Sequence, residues 1–89
     1  MIKQKIIIVN KLGLHARAAA KLVHLASRFE SESKLVRGEK FVNGKSIMGV
    51  MMLAASKGTE IELWVEGPDE NQAMTALCEL INDRFGEGE

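Results

Sequence analysis

The chain has a single cysteine, Cys78, among its 89 residues. One cysteine makes no internal disulfide and offers no partners for a cysteine-rich zinc cluster. Aromatic residues are nearly as scarce, with three Phe, one Trp and no Tyr, which leaves few rings for stacking on nucleic-acid bases. Neither sign of charge is in excess. Twelve Lys and Arg balance twelve Asp and Glu, so nothing here favours nucleic acid or an anionic membrane surface as a partner. Long apolar runs are missing too. The opening Met1-Ile2-Lys3-Gln4-Lys5 leads into a stretch too short for the apolar part of a secretion signal, and far too short to cross a bilayer. The expectation is a cytoplasmic protein that neither binds nucleic acid nor inserts into membranes. What remains is 46% hydrophobic, enough for one packed domain over 1–89 with a modest core.

The apolar pattern divides that domain into elements. Ile2 to Val9 reads as a strand, and the continuous run Ile6-Ile7-Ile8-Val9 suggests a buried inner one. From Ala16 to about Phe29, Ala19, Leu22, Val23, Ala26 and Phe29 recur at helical spacing. Ser31 to Val36 and Phe41-Val42 read as strands around a turn at Arg37-Gly38-Glu39-Lys40. Ser46 stands where an N-cap would stand before the short apolar helix Ile47 to Leu53. Ile61, Leu63 and Val65 alternate with polar neighbours as a half-buried strand. Asp69 with Gln72 forms a box-like start to a last helix whose stripe is Ala73, Leu77, Leu80 and Ile81. The tail Gly86-Glu87-Gly88-Glu89 is expected to fray. The order β-α-β-β-α-β-α implies an α+β domain, two layers deep, with one sheet face covered by helices.

One stretch carries chemistry: Asn10-Lys11-Leu12-Gly13-Leu14-His15-Ala16-Arg17-Ala18-Ala19-Ala20. A strand stops, a glycine permits a sharp turn, and His15 falls where a helix begins, with Arg17 two residues on. The first amides of a helix lack internal partners and carry partial positive charge, which suits a phosphate. The same field disfavours an imidazolium and so favours a neutral, nucleophilic ring. Arg17 can meet a phosphoryl group through forked, charge-assisted contacts. His24, mid-helix and without a complementary neighbour, reads as structural or partly exposed, and its spacing from His15 does not suit a shared metal. Cys78 reads as a small core residue. No second acid/base pair or cofactor loop accompanies His15, so neither a cofactor, nor a metal, nor an enzyme that turns over a small molecule is expected. Ser46 is either a plain N-cap or a phosphorylation site. The methionines Met48, Met51 and Met52 sit on a helix too short to bury every side, which suits a docking patch.

Asn10 to Arg17 resembles the active-site motif of the histidine-containing phosphocarrier family, HPr, of the bacterial phosphotransferase system. Lys45-Ser46-Ile47-Met48-Gly49-Val50-Met51 resembles that family's regulatory serine segment. Lys57-Gly58-Thr59-Glu60-Ile61 and Gly67-Pro68-Asp69-Glu70 align with it as well, so the likeness spans essentially the whole chain. The resemblance implies an open-faced β-sandwich, a four-stranded antiparallel sheet ordered 1-4-2-3 with helices on one face. It implies that His15 accepts a phosphoryl group on Nδ1 from phospho-enzyme I and passes it to an enzyme IIA domain. Arg17 assists by carry-over, and the Ala16 and Arg17 amides receive the phosphate. The resemblance further implies that Leu14, Ala20, Ile47, Met48, Met51 and Met52 belong to the docking surface and that Ser46 is the target of an HPr kinase/phosphorylase.

Two features depart from that pattern. The family usually has proline after the arginine, where this chain has Ala18; either residue suits a first helical turn. Asn10-Lys11-Leu12-Gly13 and the ending Asp83-Arg84-Phe85-Gly86 also resemble the nitrogen-related paralogue NPr, so both branches stay open. A monomer is expected. The rival function is a regulatory docking protein controlled at Ser46, without a major transfer role.

Overall fold

A computed structural model describes residues 1–88. Four strands, β1 (Ile2–Ile7), β2 (Glu32–Arg37), β3 (Lys40–Asn43) and β4 (Glu60–Glu66), form one antiparallel sheet in the order β1-β4-β2-β3. Three helices, α1 (Ala16–Ala26), α2 (Ile47–Met52) and α3 (Glu70–Asn82), cover one face, and a 3₁₀ turn follows at Arg84–Gly86. The expected α+β open-faced β-sandwich is therefore the fold. No helix among the described residues is long and apolar enough to cross a membrane.

The period of the strands decides which face is covered. In β4, Ile61, Leu63 and Val65 are buried while Glu60, Glu62, Trp64 and Glu66 lie on the other side. Pairing carries this alternation across the sheet: Leu63 faces Gln4 and Leu35, and Trp64 faces Lys3 and Lys34. The Lys3 ammonium stands 4.0 Å above the Trp64 ring on the open face. Under the helices, Leu22, Leu35, Val50, Leu53, Ile61, Leu63, Leu77 and Ile81 make the centre of the core.

Four expectations need correction. β1 is an edge strand rather than an inner one: Ile7 lies on the open face, half exposed at 49%, while Ile6 and Ile8 are buried. A continuous apolar run does not distinguish a strand buried on both faces from an edge strand that leads into the core. α1 stops at Ala26, three residues short of Phe29, because a tighter turn follows from Ser27 to Phe29. Asp69 is the N-cap residue of α3, but its carboxylate makes no cap bond. It accepts instead from the amides of Glu30 and Ser31, at 3.0 and 2.9 Å, and from the Ser31 hydroxyl. Glu70, not Gln72, accepts from the Gly67 amide.

The fourth correction is the tail. Arg84, Phe85 and Gly86 have φ of 56°, 54° and 75°, three successive left-handed residues that bend the chain into a hook. Two of them are not glycine, a conformation that costs energy unless packing holds it. Phe85 supplies the packing, since it is fully buried in the core, worth about 1.5–3 kcal/mol for such a side chain. Lys21 of α1 adds a bond from Nζ to the Phe85 carbonyl at 2.6 Å. Glu87 is thereby carried back onto α1 instead of fraying, while Glu89 lies outside the described residues.

Candidate phosphoryl-acceptor site

The turn between β1 and α1 is built so that the helix can begin at one place only. Gly13 has φ +66°, and a Cβ there would lie 2.5 Å from the Ala55 carbonyl oxygen. Glycine is required twice over, for its dihedral and for the close approach. The fully buried Asn10 closes the turn with an Nδ2 bond to the Gly13 carbonyl at 2.8 Å. The Leu14 amide then donates to Ala55 at 2.9 Å. Ala55 itself is held in place because Arg37 donates to the carbonyls of Leu53 and Ala54 just before it. The segment leaving α2 thus acts as the bed on which the start of α1 lies.

His15 is the N-cap of α1, extended at φ −74° and ψ 177°. Its carbonyl accepts the first helical bond, from Ala19 at 2.8 Å. Its side chain makes no cap bond, so the amides of Ala16, Arg17 and Ala18 are left without an intrahelical acceptor. No acidic side chain stands in this first turn. Arg17 is exposed beside it. This end of the helix brings together a ring, amides without an intrahelical acceptor and an exposed guanidinium.

Glu87 is the residue that sequence reasoning missed. Its carboxylate meets His15 Nε2 at 2.5 Å and accepts from Asn10 Nδ2 at 3.0 Å. Burial works to raise this carboxyl, but the bonds from His15 and Asn10, with attraction to His15 and Arg17, hold it below its ordinary 4.5. Lys11, Leu12, Arg17, Lys21, Gly86 and Glu87 line a cavity of about 380 Å³ next to this contact. A larger groove, about 660 Å³, runs between β1 and α3 past Ile6, Met74 and Cys78, away from these groups. Cys78 is half-buried against the core, and burial pushes its thiol up, which keeps it protonated and unreactive.

The remaining residues divide between surface and support. Ile47, Met48, Met51 and Met52 are exposed on α2, at 38 to 70%, and Ala20 is half-buried on α1. Leu14 does not join that surface. It is 5% exposed and belongs to the core, as an apolar side chain just ahead of an N-cap commonly does. Ser46 caps α2, its Oγ accepting from the Gly49 amide at 3.1 Å. His24 is exposed near the end of α1, where a basic group suits the helix dipole. Among the described residues, no group of three or more His, Cys, Asp or Glu could hold a metal ion.

A family model for the HPr component phosphorylation site of the phosphotransferase system matches residues 2–83. The chain belongs to the HPr family. The phosphocarrier protein HPr of Neisseria meningitidis is 61% identical over 89 residues, covering all of both chains. The solved structure of an HPr from Thermoanaerobacter tengcongensis matches at a TM-score of 0.94, with 48% identity over 98% of each chain. A second structure from that organism, described as an HPr dimer, matches at 0.79 over 98% of this chain and 100% of its own. Members of this family are phosphocarriers of the phosphotransferase system rather than enzymes.

Proposed function

We propose that this HPr-family chain takes a phosphoryl group on His15 Nδ1 from phospho-enzyme I and hands it to an enzyme IIA domain, acting in the cytoplasm as one phosphocarrier domain over 1–89. The observation that carries this reading is the open start of α1. His15 caps the helix with its backbone while leaving the Ala16 and Arg17 amides unpartnered within the helix. Those amides receive the phosphoryl oxygens, and Arg17 neutralises part of their charge. Ala18 keeps this arrangement, because either proline or alanine fits a first helical turn.

Partners dock on Ala20, Ile47, Met48, Met51 and Met52, where side chains that adapt their shape can serve more than one acceptor. Ser46 lies at the start of the same short helix. A kinase of the HPr kinase/phosphorylase type would add about two negative charges there and weaken the approach of acidic partners. We read the branch as HPr rather than NPr, a reading that the relatives' printed name supports. The working form is a monomer; a gel-filtration volume set by two chains at micromolar concentration would replace it with a dimer like the one described for the Thermoanaerobacter protein.

The exposed methionine face is also what a regulatory docking protein controlled at Ser46 would need. His15 separates the two readings. The test is incubation with enzyme I and labelled phosphoenolpyruvate, then acid and alkali treatment of the product. Label that is lost in acid, survives alkali and is absent from His15→Ala supports the carrier. Absence of label, with efficient ATP-dependent labelling of Ser46, supports the regulatory protein.

A further inference from the structure

His15 has two ring nitrogens, and the tail treats them differently. Nε2 faces the Glu87 carboxylate at 2.5 Å. A carboxylate can only accept, so the proton between them belongs to Nε2 and the lone pair of the neutral ring is left on Nδ1. The ring makes no cap bond with its own helix, and among the described residues Nδ1 has no other partner. The nitrogen that carries the lone pair is therefore the one left unengaged.

The contact is built rather than casual. Glu87 is 12% exposed at its side chain. Its second oxygen is engaged by the buried Asn10, which also closes the turn that starts α1. The hook that delivers it is anchored by the fully buried Phe85 and by Lys21 from α1 itself. Ring, carboxylate and turn are thus tied to one another across 72 residues of sequence.

From this geometry we infer that Glu87 is a positioning residue for phosphoryl transfer: it holds the His15 ring in the Nε2–H tautomer so that Nδ1 is the acceptor atom. The inference rests on the carrier reading above. In the transfer, the Nδ1 lone pair forms a bond to the phosphorus of a phosphohistidine on the donor protein. The donor N–P bond breaks and its electron pair returns to the donor nitrogen. The proton on Nε2 stays in place, and the positive charge that the phosphorylated ring acquires faces the Glu87 carboxylate. The logic is that of an imidazole oriented and charge-stabilised by a carboxylate. Transfer onward reverses the same steps.

The test uses the full chain and the variants Glu87→Ala and Glu87→Gln, with thermal unfolding confirming that each is folded. Ring ¹⁵N shifts at mildly alkaline pH report the tautomer without any transfer partner. Phosphoramidate, a small phosphoryl donor, then reports rate and isomer of phosphohistidine formation. The wild type is expected to show the Nε2–H tautomer and the Nδ1 isomer. Glu87→Ala is expected to gain the Nδ1–H tautomer, to form the Nε2 isomer as well, and to lose about tenfold or more in Nδ1 phosphorylation rate. Glu87→Gln can still accept from Nε2, so it is expected to keep the Nδ1 isomer at a reduced rate. Wild-type tautomer, isomer and rate in both variants would overturn the role of Glu87 while leaving the carrier reading intact. A wild type that forms no phosphohistidine at His15 with phosphoramidate or enzyme I would instead overturn the carrier reading, and the ring shifts alone would then judge Glu87.

Discussion

α1 and α2 both begin at a residue proposed above to carry phosphate, and the two starts are built in opposite ways. At α2, the Ser46 hydroxyl accepts from the Gly49 amide and closes the helix end. At α1, the His15 side chain turns away from its own helix to Glu87, and the first amides stay open. A closed start contributes stability. An open one gives up that bond and leaves its amides for an incoming anion to meet, as proposed above. The start of α3 is a third solution, in which the Asp69 carboxylate ties down Glu30 and Ser31 instead of its own helix.

The sharpest break in this comparison is His15→Ala. All phosphoryl uptake at this site should vanish, while stability in urea falls by only about 1 kcal/mol, the net value of the one hydrogen bond that Glu87 loses. Phe85→Ala should act mainly on stability and, by freeing Glu87, slow uptake at His15 without abolishing it. Removing a fully buried ring costs about 3–5 kcal/mol, seen as a lowered urea midpoint, and releases the hook that supports the open start.

How far these differences could be read in advance varies along the chain. The closed start was legible, because serine before a short apolar helix states its own purpose. So was the His15–Arg17 pair, since ring, turn glycine and guanidinium all fall within five residues. The strand alternation of Ile61, Leu63 and Val65 gave the covered face. The hook was not legible. Gly86-Glu87-Gly88-Glu89 has the composition of a loose end, and the left-handed dihedrals of Arg84 and Phe85 leave no local signature. The one available signal was Phe85 itself, an aromatic residue placed just past the last helical stripe with no other reason to be there. Asp69 stands at the N-cap that its position implies, but its carboxylate has two sets of amides within reach, and only the packing of β2 decides between them.

Smaller changes refine the contrast. Ser46→Ala should cost about 1 kcal/mol, the usual value of an N-cap, with His15 phosphorylation by enzyme I unchanged; denaturant unfolding and the labelling assay read the two effects separately. Ala18→Pro should add about 0.4–1 kcal/mol by restricting the unfolded chain, because the Ala18 amide has no intrahelical partner to lose, and phosphoryl transfer should persist.

The mildest effect is acid dependence at the third start. The Ser31 hydroxyl, opposed by burial and joined by the Glu30 and Ser31 amides, holds Asp69 below its ordinary 3.8. A depressed value means a contribution present above the ordinary range and lost as pH falls through the folded one. Stability measured in urea should therefore decline below about pH 4, and Asp69→Asn should flatten that decline.

The most direct test of the open start is the amide spectrum of ¹⁵N-labelled chain before and after phosphorylation by enzyme I. The account predicts that the Ala16 and Arg17 amide protons move strongly downfield as they bond to the phosphoryl group, while Gly49, already bonded to Ser46, stays where it was. Phosphorylation of His15 that leaves Ala16 and Arg17 unmoved would contradict it.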